Sequence, residues 1–131
     1  MERNEFEHWV IDAIERLPRN IRGKIKNVAL CVEDWPSHDQ FQKAGTRRGD
    51  TLLGLYEGIP ETTWGKRSSA RMPDKISIFR EPILRIAQTP EELKMLIRNT
   101  VWHEIGHYFG FDEKGIRVLE RNRSKRYATP V

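Results

Sequence analysis

A chain of 131 residues fits one domain and can bury a modest core without disulfide staples. Its 37% hydrophobic and 32% charged content, with four Trp, five Phe and three Tyr, excludes a disordered chain, and no run approaches the ~20 apolar residues of a membrane span. The single thiol, Cys31, excludes an internal disulfide and a cysteine-based zinc cluster.

From the N-terminus, residues 3 to 18 read as an amphipathic helix. Phe6, Trp9, Val10, Ala13, Ile14 and Leu17 recur at spacings of three and four, and Pro18 closes the segment. This start is charged and has no apolar h-region. Together with the lone cysteine it implies a cytoplasmic setting. Asn27 to Glu33 is a short Val-containing apolar run and reads as a buried strand. Asp34 to Asp50, broken by Pro36, Gly45 and Gly49, reads as a loop. Thr51 to Tyr56 is a second strand, ended by Gly58 and Pro60, and Glu61 to Pro73 is a further loop.

Lys75 to Arg80 alternates apolar and polar residues, the pattern of a strand with one buried face. It is expected to lie at a sheet edge, where an extended peptide can add as a strand. Thr89-Pro90-Glu91-Glu92 is a helix start, with Thr89 as cap, Pro90 at the first position and Glu92 completing a capping box. Leu93, Leu96, Ile97, Thr100 and Val101 form its inward stripe, and Gly110 suits the residue after its end. A last helix is expected from about Lys114 to Arg123, with Ser124 to Val131 as a frayed tail. The order predicts an α+β domain over residues 1–123, a small mixed sheet packed by helices.

The net charge is +4, and much of the excess lies at Arg117, Arg121, Arg123, Lys125 and Arg126. A solvated helix face accounts for it. No nucleic-acid motif accompanies the charge, so nucleic acid is not an expected partner.

The predicted long helix contains His103-Glu104-Ile105-Gly106-His107, an H-E-x-x-H pattern. Chance placement in this composition gives the pattern about 1% of the time. On a helix the two imidazoles lie about 40° and one turn apart, so both can reach one ion. Glu104 falls inside the apolar stripe and the two histidines border it. Burying such groups without partners is costly, and a metal resolves that cost. The pattern therefore predicts one zinc per chain held by His103 and His107, with Glu104 as general base toward a water whose pKa the ion lowers.

A catalytic zinc takes three protein ligands and keeps one position open. The helix ends at Gly110, so the chain can turn a carboxylate back to the ion. Glu113, ten residues after His103, is the preferred third ligand and Asp112 the alternative; either can instead cap the following helix.

Three segments carry a family resemblance: WHEIGHYFGFDE at 102–113, LLGLYEGIPET at 52–62, and MPDKISIFREPI at 72–83 followed by the TPEEL helix start. In this order they resemble the small bacterial zincin-like metallopeptidases, the minimal zincins. The resemblance implies a zincin-like fold and peptidase activity on a peptide or protein substrate. His103, Glu104, His107, Gly110 and Asp112 match the motif, while position 113 holds Glu where relatives often carry Asp. By analogy with other zincins, Tyr56 and Arg80 are candidate donors to the oxyanion.

Tyr108 is expected to pack, His8 to lie on the first helix surface, His38 in a loop, and Trp9, Trp35, Trp64 and Trp102 to serve core or rim packing. Two other functions compete with the peptidase: an inactive zincin-like module that binds metal or a protein, and a basic nucleic-acid-associated protein. Retention of Glu104 favours the enzyme, because a structural metal site has no use for that base. The sequence carries no signal of oligomeric state.

Overall fold

The computed structural model describes residues 1–45, 51–58 and 73–110. The expected loop at 61–73 lies outside them apart from Pro73, as do Asp112, Glu113, the expected helix at 114–123 and the tail at 124–131.

Helix α1 (Arg3–Glu15) buries Phe6, Val10 and Ala13, as its spacing requires. Pro18 begins the single turn α2 (Arg19–Arg22). Strand β1 (Val28–Glu33) follows, then helix α3 (His38–Lys43). Strands β2 (Gly54–Glu57) and β3 (Asp74–Phe79) come next. Helix α4 (Arg80–Ile86) and the long helix α5 (Pro90–Tyr108) complete the described chain. The sheet is mixed: β1 runs parallel to β3, and β2 antiparallel to it, in the order β1-β3-β2. This is the expected α+β architecture.

One face of the sheet and the helices α1 and α5 share the core. Phe6, Ile76, Ile78, Ile83, Ile97 and Val101 are fully buried there. The start of α5 follows its residues in part: Pro90 stands in the first turn and the Thr89 hydroxyl accepts from the Glu92 N–H at 3.0 Å, but the Glu92 side chain does not return the bond, so the expected capping box is only half made. Its end is fixed by Gly110, whose φ of +87° is left-handed backbone that a side chain resists.

Three expectations are corrected. The strand predicted at Lys75 to Arg80 is central, not an edge: β3 pairs with β1 on one side and β2 on the other, which leaves β2 outermost among the described strands on that side. Its second face is not solvated either, because Gln40 of α3 lies over a fully buried Ser77, at 3.5 Å. The loop predicted at 34–50 contains α3. Ser37 accepts from the Gln40 N–H at 3.1 Å and Gln40 Oε1 accepts from the Ser37 N–H at 2.8 Å, a full capping box that also puts His38 on a helix. Residue 80 ends the strand by starting α4, with Pro82 tolerated in the first turn, where its missing N–H costs nothing.

Candidate metal centre

The face of α5 turned toward β2 carries residues three and four apart: Leu96, Asn99, Thr100, His103 and His107. With Glu104 they form the floor of a cleft of about 610 Å³. Strand β2 and the residues before it make its other wall, through Leu52, Leu53, Gly54 and Tyr56. Lys43 of α3 stands at the rim, its charge answered by Glu57 at 2.9 Å and Asp39 at 3.2 Å.

The imidazoles of His103 and His107 lie with ring centroids 5.1 Å apart and planes at 73°. One helical turn separates them, so both rings open toward the same cleft. Both are half-buried, whereas Glu104 is 7% exposed. The stripe arithmetic is thus met: Glu104 lies among the inward residues with Ile97, Thr100, Val101 and Ile105, and the histidines flank it.

Strand β2 approaches this part of α5 closely at Gly54. A Cβ there would stand 2.9 Å from Thr100 Cγ2 and 3.2 Å from Glu104 Cγ. Thr100 is held in place by its hydroxyl, which donates to the Leu96 carbonyl at 2.7 Å. Tyr108 ties the end of α5 to the segment just before β1. Its hydroxyl donates to the Lys26 carbonyl at 2.9 Å and accepts from the Lys26 N–H at 3.1 Å. Tyr108 therefore packs, as expected, and fixes the turn that carries His107.

The two analogical oxyanion donors fare differently. Tyr56 lines the cleft, and its ring meets Tyr108 edge-on at 6.1 Å. Its hydroxyl donates to Asp74 at 2.6 Å. Burial, then this bond, pushes the phenol well above its ordinary pKa, so it stays protonated. Arg80 does not line the cleft. It turns instead to Asp34 at 3.3 Å and to the Met1 carbonyl at 3.0 Å.

The other histidines stay apart from this site. His8 is exposed on α1 and meets Trp9 edge-on at 5.5 Å. His38 is exposed and exchanges a hydrogen bond with Gln42 at 3.1 Å. Trp9 packs on the core, Trp102 donates to the Ala13 carbonyl at 2.8 Å, and Trp35 is exposed at 51% under Arg85.

Sequence reasoning missed Asn99 and Gly54. Asn99 carried a signal, since it lies four residues before His103 on the same helical stripe. Gly54 carried none, because its role depends on which strand crosses α5.

The donor set fits a zinc ion in part: two imidazoles on one turn, beside a carboxylate that can act on a water. Among the described residues no group of three metal-ligating side chains occurs, and both candidates for a third ligand lie outside them. No helix among the described residues is long and apolar enough to cross a membrane.

No match to the chain is found among curated proteins. The family model of zincin-like metallopeptidases matches residues 25–123, from just before β1 to beyond α5, with the cleft and the H-E-x-x-H turn inside the matched stretch. The chain therefore belongs to the zincin-like metallopeptidase family.

Proposed function

We propose that the chain is a zinc-dependent peptidase in which His103 and His107 hold one ion per chain and Glu113 completes the set, with Asp112 as the alternative ligand. The observation that carries this reading is the convergence of His103, Glu104 and His107 on one cleft, with the two rings 5.1 Å apart. Family membership supports it. Bound zinc lowers the pKa of a coordinated water toward ~7 and polarises a carbonyl oxygen. With the ion bound, Glu104 would accept a proton from the attacking water and pass it to the leaving amine. Its burial keeps bulk water from competing for that carboxylate.

The substrate is a peptide or protein segment. Among the described residues β2 is an outer strand and forms one wall of the cleft that the histidines line, so an extended segment that adds to β2 would lie beside them. This moves the strand-addition role from β3 to β2. A cytoplasmic setting and one domain over residues 1–123 belong to the same proposal.

Elemental analysis tests it, on the wild type and on His103→Ala and His107→Ala, prepared without chelator or a His tag. About one zinc per wild-type chain, lost in both variants, is the expected result and justifies a peptidase screen. A wild type that holds no zinc and takes none up would refute the catalytic reading and leave a zincin fold kept for binding.

A further inference from the structure

Gly54 sits where three surfaces meet. A Cβ at this position would lie 2.9 Å from Thr100 Cγ2, 3.2 Å from Glu104 Cγ and 3.2 Å from the Ser77 carbonyl oxygen. Real Cβ contacts do not fall below about 3.0 Å, so one neighbour must move. The Ser77 oxygen belongs to the central strand and is fixed by the sheet. Thr100 is β-branched and stiff at χ1, and its hydroxyl is tied to Leu96 at 2.7 Å. The softest neighbour is the Glu104 side chain, whose Cγ turns by rotation about one bond.

We infer that Gly54 is a positioning residue for Glu104. By lacking a Cβ it lets β2 lie directly on α5, and the strand backbone then walls in one side of the Glu104 side chain. Gly54 is not at a positive φ, so its need for glycine comes from this close approach rather than from its own backbone conformation. The strand that forms a wall of the cleft thus also sets the direction of the base. The inference rests on the peptidase reading, in which Glu104 is that base.

The test is Gly54→Ala, compared with Thr100→Ser and with Gly54→Ala/Thr100→Ser. The Ser substitution removes Cγ2, the closest contact, and keeps the hydroxyl that bonds Leu96. The measurements are kcat and KM on a peptide substrate, zinc content, melting temperature of the metal-free protein, and the visible spectrum of the cobalt-loaded protein. Gly54→Ala is expected to lower kcat by roughly 3–10-fold with KM and zinc content held, because the 3.2 Å contact makes Glu104 give by a few tenths of an ångström, a fraction of the ~1 Å misplacement that costs about 10²-fold. In the double variant the melting temperature should recover while kcat does not, because the 3.2 Å contact with Glu104 remains. Recovery of kcat together with melting temperature would assign Gly54 a packing role only and overturn the inference, as would an unchanged kcat in Gly54→Ala. If the wild type binds metal but cleaves nothing, the peptidase reading fails by itself. The cobalt spectrum then decides: a band shift in Gly54→Ala that persists in the double variant supports the positioning role, and an unchanged spectrum overturns it.

Discussion

The two sides of α5 make opposite uses of the same helix. Toward α1 it is packing surface: Trp102 donates to the Ala13 carbonyl at 2.8 Å, and Lys94 lies over the Trp9 ring at 4.2 Å. Behind these contacts Phe6, Ile97 and Val101 are fully buried. Toward β2 the helix packs closely at Gly54 but leaves a cleft beside it, which the proposed reading uses for chemistry. There His103, Glu104 and His107 occupy positions that apolar residues would otherwise fill, and a cleft of about 610 Å³ remains open. The buried Glu104 carboxylate thus sits on a helix whose other side packs against α1. Residues 1–24 lie outside the family match, yet α1 supplies much of that packing.

Two substitutions should separate the sides. Glu104→Gln keeps the shape of the buried side chain but removes its basicity. The expected outcome is a loss of ~10²–10⁴ in kcat with zinc content and melting temperature close to wild type. A Glu104→Gln protein that cleaves at the wild-type rate would break the comparison, since the β2 side would then hold no base. Phe6→Ala should do the reverse. Truncating this fully buried ring costs ~3–5 kcal/mol in a denaturant titration. At temperatures where the variant stays folded, its zinc content should be unchanged. Loss of zinc from the folded variant would show that the two sides are not independent.

Much of this arrangement was legible in the residues, and what was not has a physical reason. The α5 helix could be read from end to end, because a cap, a first-turn proline, a periodic stripe and a terminal glycine all act locally. Glu104's burial followed from the same stripe. The ordering of strands was not legible. The alternation in KISIFR suggested an edge strand, whereas β3 is central, with Ser77 enclosed under Gln40. A small hydroxyl in a strand looks the same in sequence whether it faces water or a buried amide. Helix α3 is hidden because HDQFQK offers one apolar residue and no periodicity; its capping box, Ser37 with Gln40, is its one local signal. The role of Gly54 lies in a contact between residues about fifty positions apart, which no local pattern encodes.

The outer face of the sheet extends the contrast with a smaller effect. Glu33 accepts from Gln40 at 2.9 Å and from Lys75 at 3.0 Å. Burial, the largest single influence, pushes its carboxyl up, but the bonds from Gln40 and Lys75 and the Lys75 charge together hold it below the ordinary 4.5. Lys75 is raised above 10.5, first by its bond to Glu33. A lowered carboxyl pKa means stability that is present above the unfolded value near 4.5 and lost as pH falls through the folded one. The raised Lys75 gives stability that is full below 10.5 and lost as pH rises through its folded value. Both side chains are about a third exposed, so the pair contributes only ~0.5–1 kcal/mol. Denaturant titrations across pH should show Glu33→Gln less stable than wild type at neutral pH, the gap closing in acid, with kcat unchanged. A gap that persists in acid would assign the loss to packing rather than charge.

The two helix caps give the finest division. Thr89→Ala and Ser37→Ala each remove one acceptor from a backbone N–H, at 3.0 Å and 3.1 Å, and each costs ~0.5–2 kcal/mol by that chemistry alone. Their reach should differ. Thr89 starts the 19-residue α5, whose buried face belongs to the core, so its loss should lower the global stability seen in a denaturant titration. Ser37 starts the six-residue α3, which buries only Gln40. Its loss should speed amide hydrogen exchange in residues 38–44 and leave the exchange of α5 untouched. Equal global losses would mean that α3 unfolds only with the whole domain, and Gln40 over Ser77 would then count as core rather than cover.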